Sequence, residues 1–236
     1  IAEQACGDLH GSLKDNLSAC VLYGSVVRGE ADAGRSNVNL LIVLNRSTAE
    51  AHQVIATQLQ KFPRVAPFVV SRWELARSRQ VFAIKFRSIQ RNYRVLAGDD
   101  PLADFAASPQ LLQLLCEQSL RNLRLRLQHA FIRLGHAPER YERRILRAVP
   151  ALFATLSEVL RCAGVEVPRA YKDRPALIGR ELGAEASVLG ELRQLRHRPR
   201  RLSAGEVFSF HSRVFRLLCT ALDWMRERWP QTFETR

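Results

Sequence analysis

No stretch of this chain approaches the roughly 20 consecutive apolar residues that cross a bilayer. Its apolar runs, such as residues 39–44 and 149–152, fall far short, so a membrane partner is not expected. The opening residues carry Glu3 and Asp8 where a secretory leader has a basic stretch ahead of an apolar one, so no retained signal peptide is expected either. Cysteine is scarce and scattered. Its five copies, Cys6, Cys20, Cys116, Cys162 and Cys219, are odd in number and form no C-x-x-C pair, which argues against a disulfide framework and a zinc knuckle and points to a reducing, cytoplasmic setting. The six histidines show no H-E-x-x-H spacing, and no serine sits in G-x-S-x-G. Aromatic residues make up only 8% and do not interleave with the basic ones along the sequence.

What is abundant is arginine. The net charge is +13, and about +10 of it lies after Ala106. Such asymmetry raises the question of nucleic acid, although net charge alone argues partners weakly. A hydrophobic content of 47% over 236 residues permits one large core or two modest ones.

Periodicity divides the chain into a mixed half and a helical half. Ala5, Leu9, Leu13 and Leu17 mark one face of an opening helix. Residues 19–23 and 37–44 are short apolar runs separated by a loop rich in glycine and charge, which reads as two buried strands. Thr48 caps a helix running to about Phe62, residues 67–71 form a third strand, and residues 73–80 are helical. Residues 83–89 alternate, with Ile84 and Phe86 on one side and Lys85 and Arg87 on the other, which predicts a half-buried strand. Residues 97–109 concentrate glycine, aspartate and proline and form the best boundary. Beyond it, residues 111–134, 141–163, 184–195 and 204–229 carry helical spacing, with a basic run at 193–201 read as a solvated loop. The expected fold class is therefore α+β, with a mixed sheet and flanking helices in residues 1–104 and an antiparallel helical bundle in residues 105–236.

One stretch carries chemistry. Leu22-Tyr23-Gly24-Ser25-Val26-Val27-Arg28-Gly29-Glu30 is followed, after a loop, by Gly34-Arg35-Ser36-Asn37-Val38-Asn39-Leu40-Leu41-Ile42-Val43-Leu44. It closely resembles the signature of the DNA-polymerase-beta-type nucleotidyltransferases, in which strand-Gly-Ser-x-x-x-Gly leads to Ser-Asp-x-Asp-Leu on the next strand. The helical half is similar in architecture to the C-terminal bundles of kanamycin-type and minimal nucleotidyltransferases and of HEPN proteins. The resemblance implies that Gly24 and Ser25 hold the phosphates of a nucleoside triphosphate, with Arg28 nearby. It also implies that the two aspartate positions, on one face of a strand, chelate two magnesium ions. Here those positions are Asn37 and Asn39.

Asparagine offers magnesium a neutral amide oxygen where hard cations favour carboxylate. The family's third carboxylate lies on a later strand, expected here at residues 83–89, where the polar side shows Lys85 and Arg87. The motif is thus expected to be degenerate at Asn37, Asn39 and Lys85, with no metal bound and with Lys85 and Arg87 joining Gly24, Ser25 and Arg28 in phosphate binding. The leading reading is a nucleotidyltransferase-fold pseudoenzyme that binds a nucleotide or phosphorylated ligand in a regulatory or interaction role, with a homodimer through the bundle as a further partner expectation. One alternative is an active enzyme moving a nucleoside monophosphate to a small molecule, protein or RNA, which needs Mg2+ held by Asn37, Asn39 and Asp32. Another is a nucleic-acid-binding protein that uses the basic helical half. Arg124 and His129 match the Arg-x4-6-His pattern of HEPN RNases, but in so arginine-rich a chain that match is expected by chance.

Overall fold

The computed structural model describes residues 1–31 and 36–230, so Asp32, Gly34 and Arg35 lie outside the described residues. The chain divides into two compact units, Ile1–Ala107 and Ser108–Arg236.

The first unit is built on a four-stranded sheet of β1 (Leu17–Tyr23), β2 (Val38–Leu44), β3 (Val65–Ser71) and β4 (Tyr93–Gly98), in the order β3-β2-β1-β4. β1 runs antiparallel to both β2 and β4, whereas β2 and β3 are parallel. A parallel pair needs a crossover, and α3 (Ala49–Leu59) supplies it, started by the Thr48 hydroxyl accepting from the Ala51 N–H. One sheet face, with Cys20, Leu22, Leu40, Ile42 and Leu44, packs under α3 and α1 (Ala2–Leu13), which contribute Ile55, Ala5, Leu9 and Leu13. Alternation then sends Tyr23, Asn39 and Leu41 to the opposite face. There lie α4 (Arg72–Ser78) and α5 (Ala83–Gln90), with Phe86 of α5 stacked on Phe68 of β3.

α5 corrects the sequence reading, because residues 83–89 form a helix and not a strand. Ala83, Phe86 and Ile89, spaced by three, are all buried, a helical period that outweighs the short alternation of Ile84, Lys85, Phe86 and Arg87. The remaining strand of the sheet is β4. The linker beyond it is anchored to this unit: Phe105 packs edge-on against Phe86, and Gln90 Nε2 donates to the carbonyls of Leu102 and Phe105.

The described residues of the second unit form α6 (Pro109–Leu134), α7 (Pro138–Cys162), α8 (Arg174–Leu182), α9 (Ser187–His197) and α10 (Ala204–Arg228). α7 is its centre, burying Tyr141, Ile145, Val149, Leu152, Leu156 and Val159 at helical spacing. Phe131 of α6, Tyr141 of α7 and His211 of α10 meet in an aromatic knot. His211 stacks on Phe131 at 4.0 Å between centroids, and its Nδ1 lies 2.6 Å from the Tyr141 hydroxyl. The basic run at 193–201 is not all loop: residues 193–197 belong to α9, which buries Leu195, and Arg200 and Arg201 pair with Glu206 and Glu139.

Candidate functional site

β1 ends at Tyr23, and the chain turns at Gly24 into the four-residue helix α2 (Ser25–Arg28). Gly24 has φ +89°, a left-handed-side conformation that disfavours side chains, and a Cβ there would stand 3.0 Å from Asn39 Nδ2. The turn thus calls for glycine, and the Asn39 amide lies close against its α-carbon side. The turn is tied back by the Gly24 N–H donating to Asn92 O at 3.1 Å and closed by Gly29 at φ +73°. Among the described residues, the backbone N–H groups of Ser25 and Val26 and the Ser25 hydroxyl take no hydrogen-bond partner.

Asn39 is paired across the ladder with Tyr23, and Tyr23 in turn with Tyr93 of β4. Cross-strand partners share a face, so these three side chains line one row. Lys85 reaches that row from α5. Its Nζ donates to the Tyr23 hydroxyl at 3.3 Å and lies 5.0 and 5.4 Å from the ring centroids of Tyr23 and Phe68. Although the residue as a whole is open to solvent, its ammonium rests against these two rings, and desolvation there lowers its pKa from the ordinary lysine value. Burial pushes the Tyr23 phenol up to about 12, so it stays protonated at neutral pH. No carboxylate lies within ion-pair distance of Lys85 among the described residues.

Gly24, Ser25, Asn39 and the Tyr23 hydroxyl that Lys85 contacts therefore lie at the end of β1, and Asn37 sits exposed just before β2. Two other expected residues are differently engaged. Arg28 Nε donates to Glu30 at 2.9 Å, in a pair whose side chains are both largely withdrawn from water. Arg87, two residues from Lys85, is turned about 200° around the helix from it. It donates to Gln90 Oε1 at 3.1 Å, on the side that holds the Leu102–Phe105 carbonyls. A strand would place Lys85 and Arg87 together; the helix separates them.

Tyr23 is the residue that the sequence does not flag, although its position next to Gly24 is a usable signal. The strand facing β1 on this side, β4, reads Tyr93-Arg94-Val95-Leu96-Ala97-Gly98 and has no acid. The nearby Asp100 accepts from the Tyr93 hydroxyl and the Leu102 N–H, and Glu74 closes the capping box of α4 on Ser71. Among the described residues, no group of three or more His, Cys, Asp and Glu side chains is placed to hold a metal ion.

No family model matches the chain, and no curated protein matches it significantly in sequence. Among solved structures it is similar to the crystal structure of spectinomycin adenyltransferase AAD(9) from Enterococcus faecialis with ATP and spectinomycin, with a TM-score of 0.59 and 8% identity over 94% of this chain and 97% of that one. At that identity the likeness is one of fold, and what the two chains share is an α+β architecture: a mixed four-stranded sheet with flanking helices, followed by a helical region.

Proposed function

We propose that this protein uses its nucleotidyltransferase fold to bind a nucleoside triphosphate or another phosphorylated ligand without a metal ion, in a regulatory or interaction role and not as a transferase. The observation that carries this reading is the placement of Lys85, a partly desolvated ammonium with no carboxylate partner among the described residues, beside the row that contains Asn39. An unpaired cation in such surroundings favours an anion. The Ser25 and Val26 N–H groups and the Ser25 hydroxyl supply further donors at the neighbouring turn.

The same donor set argues against a divalent ion. Asn37 and Asn39 offer neutral amide oxygens, β4 offers no acid, and the ammonium of Lys85 adds positive charge where magnesium needs negative. These residues do not fit two-metal catalysis. The competing reading is an active transferase, since the fold likeness is to an adenyltransferase crystallised with ATP and spectinomycin.

Calorimetric titration with ATP, GTP, CTP and UTP, each with magnesium and with EDTA, separates the two. Binding of at least one nucleotide that survives EDTA and weakens about tenfold or more in Lys85→Ala is expected, the scale of losing one charge-assisted hydrogen bond. Binding that requires magnesium, or that is indifferent to Lys85→Ala, overturns the metal-free reading.

A further inference from the structure

α4 and α5, with the residues between them, concentrate two properties that the rest of the first unit keeps apart. Residues 72–91 hold six cations, Arg72, Arg77, Arg79, Lys85, Arg87 and Arg91, against one acid, Glu74. That acid is already engaged: its carboxylate accepts from both the N–H and the hydroxyl of Ser71 at 2.8 Å. Arg72 and Arg77 are exposed and have no carboxylate partner among the described residues. The same stretch also exposes large apolar side chains, Trp73 at 63%, Val81 at 65% and Phe82 at 52%. The Arg77 guanidinium lies 4.4 Å from the Trp73 ring centroid, so a flat cation and an indole are already stacked at the surface.

Exposed aromatic faces beside unneutralised arginines have a specific chemical complement. Nucleobases stack on aromatic rings and on guanidinium planes, while the phosphates between them satisfy the cations. A duplex hides its base faces and would leave the tryptophan and phenylalanine unused. A membrane surface is the other polyanion with apolar depth, but α4 is only seven residues long and turns its apolar Leu75 into the core, so it has no lipid-facing stripe to insert. We infer that the α4–α5 segment is a docking surface for single-stranded nucleic acid, with Trp73 and Phe82 stacking bases and Arg72 and Arg77 contacting phosphates. It relocates the nucleic-acid question from the arginine-rich helical half to a short stretch of the first unit. The contacts assigned to it are separate from the metal-free ligand site, since Trp73, Arg72 and Arg77 take no part in the arrangement of Gly24, Asn39 and Lys85.

Fluorescence anisotropy of the full-length protein with a labelled oligouridylate of about 16 nucleotides tests it. Binding is expected to weaken steeply with salt. Trp73→Ala should reduce affinity about tenfold. The double variant Arg72→Glu/Arg77→Glu should flatten the slope of log affinity against log salt by about 0.7 for each phosphate that is no longer neutralised. All three substitutions lie on the exposed surface, so unchanged thermal melts are expected, and nucleotide titrations should match the unmodified protein. The inference is overturned by absence of binding, by equal binding in both variants, by a duplex of the same length binding as tightly, or by phosphatidylserine vesicles binding where the oligonucleotide does not.

Discussion

Lys85 is the residue on which the electrostatics of the first unit turn. Its folded pKa is lowered by desolvation, so wherever both folded and unfolded chains carry the charge, the ammonium opposes folding. That opposition is relieved as pH rises through the folded pKa towards the ordinary lysine value of 10.5. Lys85→Met removes the titration, and urea midpoints measured across the alkaline limb should therefore move in favour of the unmodified protein as pH rises; parallel curves would mean that the ammonium is solvated. At this scale the sequence is legible where a residue's type and its strand phase suffice. Gly24 and Asn39 can be found because a glycine must make the turn and because alternate strand residues share a face. The engagement of Arg28 is not legible, because nothing in a linear reading shows that Glu30, two residues on, pairs with its guanidinium.

At the level of elements, the knot joining α6, α7 and α10 makes a clear demand. Tyr141 is buried and its hydroxyl meets His211, whose pKa desolvation lowers. Tyr141→Phe deletes that hydrogen bond while keeping the ring, and should cost about 1 kcal/mol in urea unfolding at neutral pH. Because the folded His211 resists protonation, it contributes stability that is present above its ordinary pKa of 6.5 and is lost as pH falls through the lower folded value. An acid limb unchanged in His211→Gln would contradict this. The three long helices of this unit are visible in the sequence because each repeats its apolar spacing over many turns. α8 is not, since it offers little more than Ile178 and Leu182 at one four-residue spacing before Gly183. α5 is misread for a related reason: over seven residues, periods of two and of three are hard to distinguish, and what decides is a core that only the assembled sheet provides.

For the molecule as a whole, the connection between units is the informative region. Composition places the boundary after residue 104, but Leu102 and Phe105 are buried and their carbonyls are held by Gln90. The first unit accordingly extends to Ala107, with Ser108 already capping α6. Limited proteolysis of the full chain by a protease of broad specificity should cut first within residues 106–107, the two between these anchors, and not at residues 99–104 with their aspartates and proline. A first cut at residues 99–104 would show that the Phe105 anchor does not hold. Pro67 has a wider consequence. It lies exposed in β3, at one end of the strand order, and keeps register with Leu40 while lacking an N–H, so its nitrogen side must face away from β2. An edge strand with a full row of free donors and acceptors is a template on which further chains can grow. One missing donor interrupts that template, and a sheet whose central strands are almost wholly apolar is thereby guarded against fibrous self-assembly at the margin where it is most open to it.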